Sequence, residues 1–243
     1  MNLSIAKAIR SLIALASMSL LGACSAAAPS GPDYAKVVAN PDRPANERDL
    51  DESRKPAEVL AFYGVKAGDK VADLWAGRGY YTAILSEVVG PTGVVYTQNP
   101  RSRDEINQRW KSAKFANVKI ADGPFEKAGL PQDGSLDFVL IHLNYHDVAP
   151  EMRGVMNKRV LAALKHGGIY AIVDHSAPDG SGNEAIKTLH RIDKLQVIKE
   201  VSEAGFKLAK EGNMLRKPED KRDFNVNKER NKDDRFVLAF ERP

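Results

Sequence analysis

The chain of 243 residues has one cysteine, Cys24. No disulfide can form within it, so hydrophobic packing alone must hold the fold, even in an oxidising compartment. Glycine and proline are not in excess, and a composition of 43% hydrophobic and 28% charged residues is that of a globular protein. Collagen, a disordered chain and a disulfide scaffold are thereby excluded. Charge of one sign is also lacking. The formal net charge is +4, and two of the cations, Lys7 and Arg10, sit at the extreme N-terminus, so there is no nucleic-acid footprint and no nucleic-acid partner is expected. No internal repeat is present, and no apolar run reaches the roughly 20 residues that span a bilayer.

Residues 1–23 read as a leader. Lys7 and Arg10 form an n-region without an acid, and Ser11 to Leu21 is a short apolar run. Leu21-Gly22-Ala23-Cys24 then places small residues before a cysteine, the pattern of the bacterial lipoprotein signal. An ordinary secretory leader with an incidental cysteine is the alternative. Cleavage would make Cys24 a lipid-modified N-terminus that anchors the protein to a membrane. Ser25 stands where inner-membrane retention uses aspartate, so the resemblance to sorted lipoproteins implies the outer membrane, facing the periplasm.

Residues 24–33 form a small-residue tether. A domain over 34–243 follows, opening with a helical segment, 34–66, broken by Pro41, Pro44 and Pro56. Strand and helix then alternate. Strands are expected at Lys70–Trp75, Gly93–Thr97, Val118–Ala121, Leu136–Leu143 and Ile169–Asp174. Helices are expected at Tyr80–Val88, Asp104–Lys114, Glu151–Leu164 and from an N-cap at Asp193 to Ala204. Lys207–Lys210 and Arg235–Glu241 end the chain as strands, separated by a polar stretch, 213–234, that reads as a long exposed loop or a lid. The fold class is α/β, a Rossmann-like, mostly parallel sheet with helices on both faces. Two closing strands joined only by a loop require one antiparallel member.

Asp73-Leu74-Trp75-Ala76-Gly77-Arg78-Gly79 ends a strand and opens a helix, where glycines let a ligand approach the backbone and the helix N-terminus offers free N–H groups. The segment resembles motif I of class I S-adenosylmethionine-dependent methyltransferases. More narrowly, Asp73–Thr82, Asn144-Tyr145-His146-Asp147, Asp174-His175 and Asp234–Val237 are similar to the motifs of a family of methyltransferases of the bacterial envelope. The resemblance implies a seven-stranded sheet in the order 3-2-1-4-5-7-6 with strand seven antiparallel, and S-adenosylmethionine as cofactor. The candidate donor site is Asp73, Trp75, Gly77, Gly79, Gln98, Asn99, Asp122 and Asn144; Gln98 or Asn99 would meet the ribose as neutral partners, and Asp122 either meets the adenine amino group, as the resemblance implies, or is a plain turn before Gly123-Pro124. Two departures stand out. Trp75 replaces the usual first glycine, and the second strand ends Gln98-Asn99, without the acid that normally binds the ribose. A nicotinamide enzyme would want that acid as well.

Ligands in open α/β sheets bind beyond the carboxyl ends of the strands. Asn144–Asp147 follows strand four and Asp174-His175 follows strand five, and His190 can approach from the next helical region. His146 or His175 is the candidate general base, with Asp147 beside them. No metal is expected on the first reading. The alternative has Asp147, Asp174 and His175 holding a divalent cation. The structural reading makes Asp147 an N-cap and Asp174 a loop support, and pairs Arg191 with Asp193 or Glu184.

Together these features point to a methyltransferase acting on an unknown small-molecule acceptor. The alternative is a non-catalytic, lipid-anchored envelope protein that keeps the fold, since the donor is made in the cytoplasm. For the anchor, Cys24→Ser should abolish acyl labelling and membrane fractionation; unchanged fractionation in the variant would refute it.

Overall fold

The computed structural model describes residues 31–243. The leader and Cys24 lie outside the described residues. Four short helices come first, α1 (Tyr34–Val38), α2 (Ala45–Arg48), α3 (Asp51–Arg54) and α4 (Pro56–Tyr63). The alternating part runs β1 (Lys70–Leu74), α5 (Tyr80–Val89), β2 (Val94–Gln98), α6 (Asp104–Trp110), β3 (Val118–Ile120), β4 (Leu136–His142), α7 (Pro150–Ala163), β5 (Leu164–His175), α8 (Glu184–Leu189), α9 (Lys194–Glu203), β6 (Lys207–Gly212) and β7 (Arg235–Glu241). Among the described residues no helix is long and apolar enough to cross a membrane.

The seven strands form one sheet in the order β3-β2-β1-β4-β5-β7-β6. All pairs from β3 to β5 are parallel, and β7 runs antiparallel to both β5 and β6. Burial on both faces explains the unbroken apolar run in β4. Val139 and Ile141 pack on one side with Met156 and Val160 of α7 and Val197 and Val201 of α9. Phe138 and Leu140 pack on the other with Val59 and Leu60 of α4 and Ile84 and Leu85 of α5. Pro56 opens α4, where its missing N–H is no loss. Tyr63 at the end of α4 reaches the sheet and donates its hydroxyl to the Leu238 carbonyl, 3.1 Å away. Asp193 caps α9 as expected, accepting from Leu195 N at 2.9 Å.

Three expectations need correction. β5 begins at Leu164, before the Gly167-Gly168 pair. Gly167 takes φ +74° and Gly168 leaves no room for a Cβ, which would lie 2.8 Å from the Lys165 carbonyl, so the strand passes through a tight irregularity that composition alone reads as a loop. The helix from Asp104 stops at Trp110, followed by a single 3₁₀ turn at Ala113–Phe115. Finally, the 213–234 segment is not merely solvated. Arg191, wholly buried, pairs with Asp220 at 2.7 Å and also donates to the carbonyls of Ser176 and Phe224. That ion pair replaces the one expected with Asp193 or Glu184. Asp233 and Asp234 are buried as well.

Breaking a buried pair leaves an uncompensated charge. Arg191→Met should therefore cost about 3–5 kcal/mol in urea unfolding and speed amide exchange across 213–234. A loss under about 1 kcal/mol would show that the segment is held by something else.

Candidate active site

β1 and β4 are neighbours, but the chain proceeds outward from them in opposite directions, so a crevice opens beyond their carboxyl ends. A cavity of about 660 Å³ occupies it, walled by the glycine turn, by α2, α3 and α6, by the ends of β4 and β5, and by the 226–235 segment.

The turn is held from below. Trp75 takes φ +49°, Gly77 +60° and Gly79 +82°. Trp75 thus adopts the left-handed conformation that suits the glycine usual at its position, at a cost of about 1–2 kcal/mol. Its N–H donates to Gln98 Oε1 (3.1 Å), and Gln98 Nε2 donates to the Gly123 carbonyl (2.7 Å). Asn99 Oδ1 accepts the Gly77 N–H at 2.9 Å, and the Asn99 N–H donates to Asp122 Oδ1 at 2.8 Å. Asp122 Oδ2 accepts from Asn107. Gln98, Asn99 and Asp122, assigned to the donor from the sequence, therefore spend their polar atoms on bracing the turn and do not line the cavity. The carboxylates that line it near the turn come instead from Glu47, which forms a bidentate pair with Arg109, and from Glu105. The two glycines differ. A Cβ on Gly77 would meet nothing within 4 Å, whereas one on Gly79 would fall 2.1 Å from the Trp110 ring. Gly77 keeps space open at the cavity wall, and Gly79 admits a neighbour.

Asp73, at the end of β1, lines the cavity and is almost wholly buried. Burial pushes its carboxyl up to about 7, against the hydrogen bond from Thr82 Oγ1 (2.7 Å) and the charge of Arg54, which pull it down. Arg54 lies over the Tyr80 ring, 4.4 Å from its centroid, and no carboxylate among the described residues pairs with it. Tyr81 OH and His142 Nε2, also in the wall, are buried and have no hydrogen-bond partner. Leu143, just past β4, is turned out of the strand at φ +60°, a strained conformation of the kind that collects at functional sites.

Four of the five histidines gather here: His142, His146, His175 and His190. His146 Nδ1 lies 2.7 Å from Asp174 Oδ1, and its backbone N–H donates to Asp174 Oδ2. Burial would raise the Asp174 carboxyl, but the His146 charge and hydrogen bonds outweigh it and hold the group below the usual carboxylate range. Burial likewise opposes the charge on His146, yet Asp174 wins and its pKa rises. His175 Nδ1 lies 2.5 Å from Asp233 Oδ2, and Arg235 clasps the same carboxylate. Despite burial, those bonds keep Asp233 well below the ordinary range. An ionised carboxylate only accepts, so Nδ1 of His175 donates to Asp233, and Nε2 is the ring nitrogen outside that bond. His190 is pushed down by partial burial and by the His146 charge. Asn144 Nδ2 donates to Asp147 Oδ2 at 3.0 Å.

Asp73, Trp75, Gly77, Asn144, Asp147 and His175 thus share the cavity wall, with His146 directly behind it. Asp147 caps no helix, since α7 starts from Ala149. The trio Asp147, Asp174 and His175 does not converge, because Asp174 turns to His146 and His175 to Asp233. Sequence reasoning missed Asp233, Arg54 and His142. His142 had a signal, a polar residue ending an apolar strand. Asp233 could be found only by knowing which way β7 runs.

No family model matches the chain. It is similar to a protein-L-isoaspartate O-methyltransferase of Ignicoccus hospitalis, 29% identical over 144 residues that cover 58% of this chain and 63% of that protein. It is also similar to a demethylmenaquinone methyltransferase of Staphylococcus aureus, 33% identical over 125 residues, 49% of this chain and 48% of that protein. The chain therefore spans between 48% and 63% of the length of these curated relatives. Among solved structures, a SAM dependent methyltransferase from Aquifex aeolicus shares the fold with a TM-score of 0.60, over 86% of this chain and 97% of that one, at 19% identity. The fold is the Rossmann-like methyltransferase fold.

The Asp73 shift has a stability consequence. A carboxyl raised from 3.8 to about 7 on folding makes the folded state bind more protons than the unfolded state across that interval. The stability this group contributes is then largest below pH 4 and declines up to pH 7, by on the order of 4 kcal/mol. In urea unfolding, Asp73→Asn should gain stability relative to the wild type as pH rises from 4 to 7, and the gain should level off above that. A difference independent of pH would contradict the shift.

Proposed function

We propose that the protein is an S-adenosylmethionine-dependent methyltransferase that works on a small-molecule acceptor in the cavity between β1 and β4. The observation that carries this reading is the pairing of a buried carboxyl, Asp73, with the open space beside Gly77, both facing one cavity at the point where the strand order reverses. The donor, when bound, supplies an electrophilic methyl group on a sulfonium. Such a molecule also carries an ammonium and a carboxylate, and the wall offers a partner of each sign. Asp73 suits the ammonium and Arg54 the carboxylate, while Gly77 permits close approach. The similarity to the two curated methyltransferases supports the same reading.

Proton handling falls to His175. With Nδ1 tied to Asp233, its free Nε2 can take a proton from an acceptor in the cavity, and Asp233 and Arg235 hold the ring in place. His146 is the poorer base, because it is buried behind the wall rather than facing the cavity. The anchor at Cys24, supported by the lipoprotein-type leader, would place the site at the periplasmic face of the outer membrane.

The competing reading, a non-catalytic envelope protein, has two observations in its favour: Asn99 occupies the Gly77 N–H, and β2 ends without a ribose-binding acid. Calorimetric titration with S-adenosylmethionine separates the two. One equivalent should bind, with affinity rising about tenfold per pH unit up to about 7 as Asp73 ionises, then levelling. Gly77→Val should weaken binding, because its side chain enters the open space in a backbone conformation that L residues resist. No binding to the wild type at millimolar donor would sink the methyltransferase. With methyl-labelled donor and an envelope extract as the source of acceptor, His175→Gln should keep donor affinity and lower incorporation about 10²–10⁴-fold. Unchanged incorporation would remove His175 from the mechanism.

A further inference from the structure

Three side chains arriving from two segments turn their ligand atoms toward one point on the cavity wall. His146 and Asp147 come from the loop after β4. His190 ends α8 at φ +57°, a left-handed turn that swings it back over the carboxyl end of β5. The segment that follows is fastened there by the Ile192 N–H donating to the His175 carbonyl at 3.0 Å. Asp147 Oδ1 stands 3.4 Å from His146 Nε2 and 3.7 Å from His190 Nε2, and all three ligand atoms lie within 4.8 Å of one another.

His146 Nε2 is the atom that asks for a partner. The ring is buried and its Nδ1 is engaged by Asp174, yet Nε2 makes no hydrogen bond. A buried polar atom left without a partner costs about 1–3 kcal/mol. From these contacts we infer that His146, Asp147 and His190 form a binding site for a divalent d-block cation, zinc by preference. Two imidazoles and a carboxylate are the donor set of such sites. At bond lengths of about 2.0–2.1 Å, tetrahedral ligand atoms stand about 3.4 Å apart, close to the spacing of Asp147 with each histidine.

The outer contacts agree. The Asp174 carboxylate on His146 Nδ1 fixes the tautomer that leaves Nε2 free to coordinate, and Asn144 Nδ2 steadies the other oxygen of Asp147. Asp147 and His190 both line the cavity, so the fourth position faces whatever molecule enters it. The site differs from the trio suggested by the sequence. Asp174 is a supporting carboxylate rather than a ligand, and His175 belongs to Asp233.

The test needs no methyl donor, so its outcome is independent of the methyltransferase reading. The metal-free protein is titrated with Co²⁺ alone and followed by visible d–d absorption. One equivalent should give the intense bands of a tetrahedral N/O centre, and Zn²⁺ should displace them. His190→Ala and Asp147→Asn alter partly exposed side chains and should fold, yet lose the bands. Asp174→Asn should weaken Co²⁺ binding about 10–100-fold while keeping the spectrum. His166→Gln, an exposed histidine outside the cluster, should behave as wild type. Absence of bands in the wild type would overturn the site, as would bands that survive both His190→Ala and Asp147→Asn.

Discussion

The reversal of β7 is the constraint on which the site depends. In an all-parallel sheet, every strand would bring its carboxyl end to the crevice and its amino end to the far side. Because β7 runs against β5, its first residue, Arg235, pairs with the last of β5, His175. The chain just before β7 is thereby carried to the same edge as the ends of β4 and β5. That is how Asp233, 58 residues after His175, comes to hold its ring. The buried pair of Arg191 with Asp220 ties the preceding loop to the same corner. A loop that would be solvated on composition becomes one wall of the cavity.

Charge in this corner is kept dry in two ways. Asp174 and Asp233 are buried but ionised, each against a histidine, and Asp233 also against Arg235. Their partners repay the loss of water, which burial alone would not allow. Asp73 has only the hydroxyl and backbone N–H of Thr82 and a more distant guanidinium, so burial prevails and the carboxyl is poised near neutrality. Three aspartates at the same edge of the sheet therefore differ in their pKa shifts because their neighbours differ. Such divergence separates groups that hold charge from groups that respond to a ligand.

The glycine turn shows a similar economy. Its two glycines and Trp75 share a left-handed backbone, but for different reasons. Gly79 is needed because Trp110 packs against it, and Gly77 leaves space at the cavity wall. Trp75 bears the strain of a side chain in that region, held by Gln98 beneath and by contact with Phe125, 6.1 Å between ring centroids. The second strand contributes supports for the turn where an acid would contribute a ligand contact.

Much was legible in the chain alone. Apolar runs between turn residues marked the strands, because a strand buried on both faces admits little else. Pro56, Asp193 and the glycines marked ends through local backbone chemistry that needs no tertiary context. The motif resemblance supplied the strand order, and the strand-end rule brought His146, Asp147 and His175 to one edge. Tertiary structure decided the pairings. Whether Gln98 meets a ligand or a backbone N–H, whether Asp174 serves His146 or a cation, and whether Arg191 finds Asp193 or Asp220 all depend on distances between residues far apart in the chain. Composition and spacing carry no record of those distances, because side-chain partnership is set by packing and desolvation in the folded state. A polar residue at a strand end announces a site; what it does there is settled by the nearest group of opposite character.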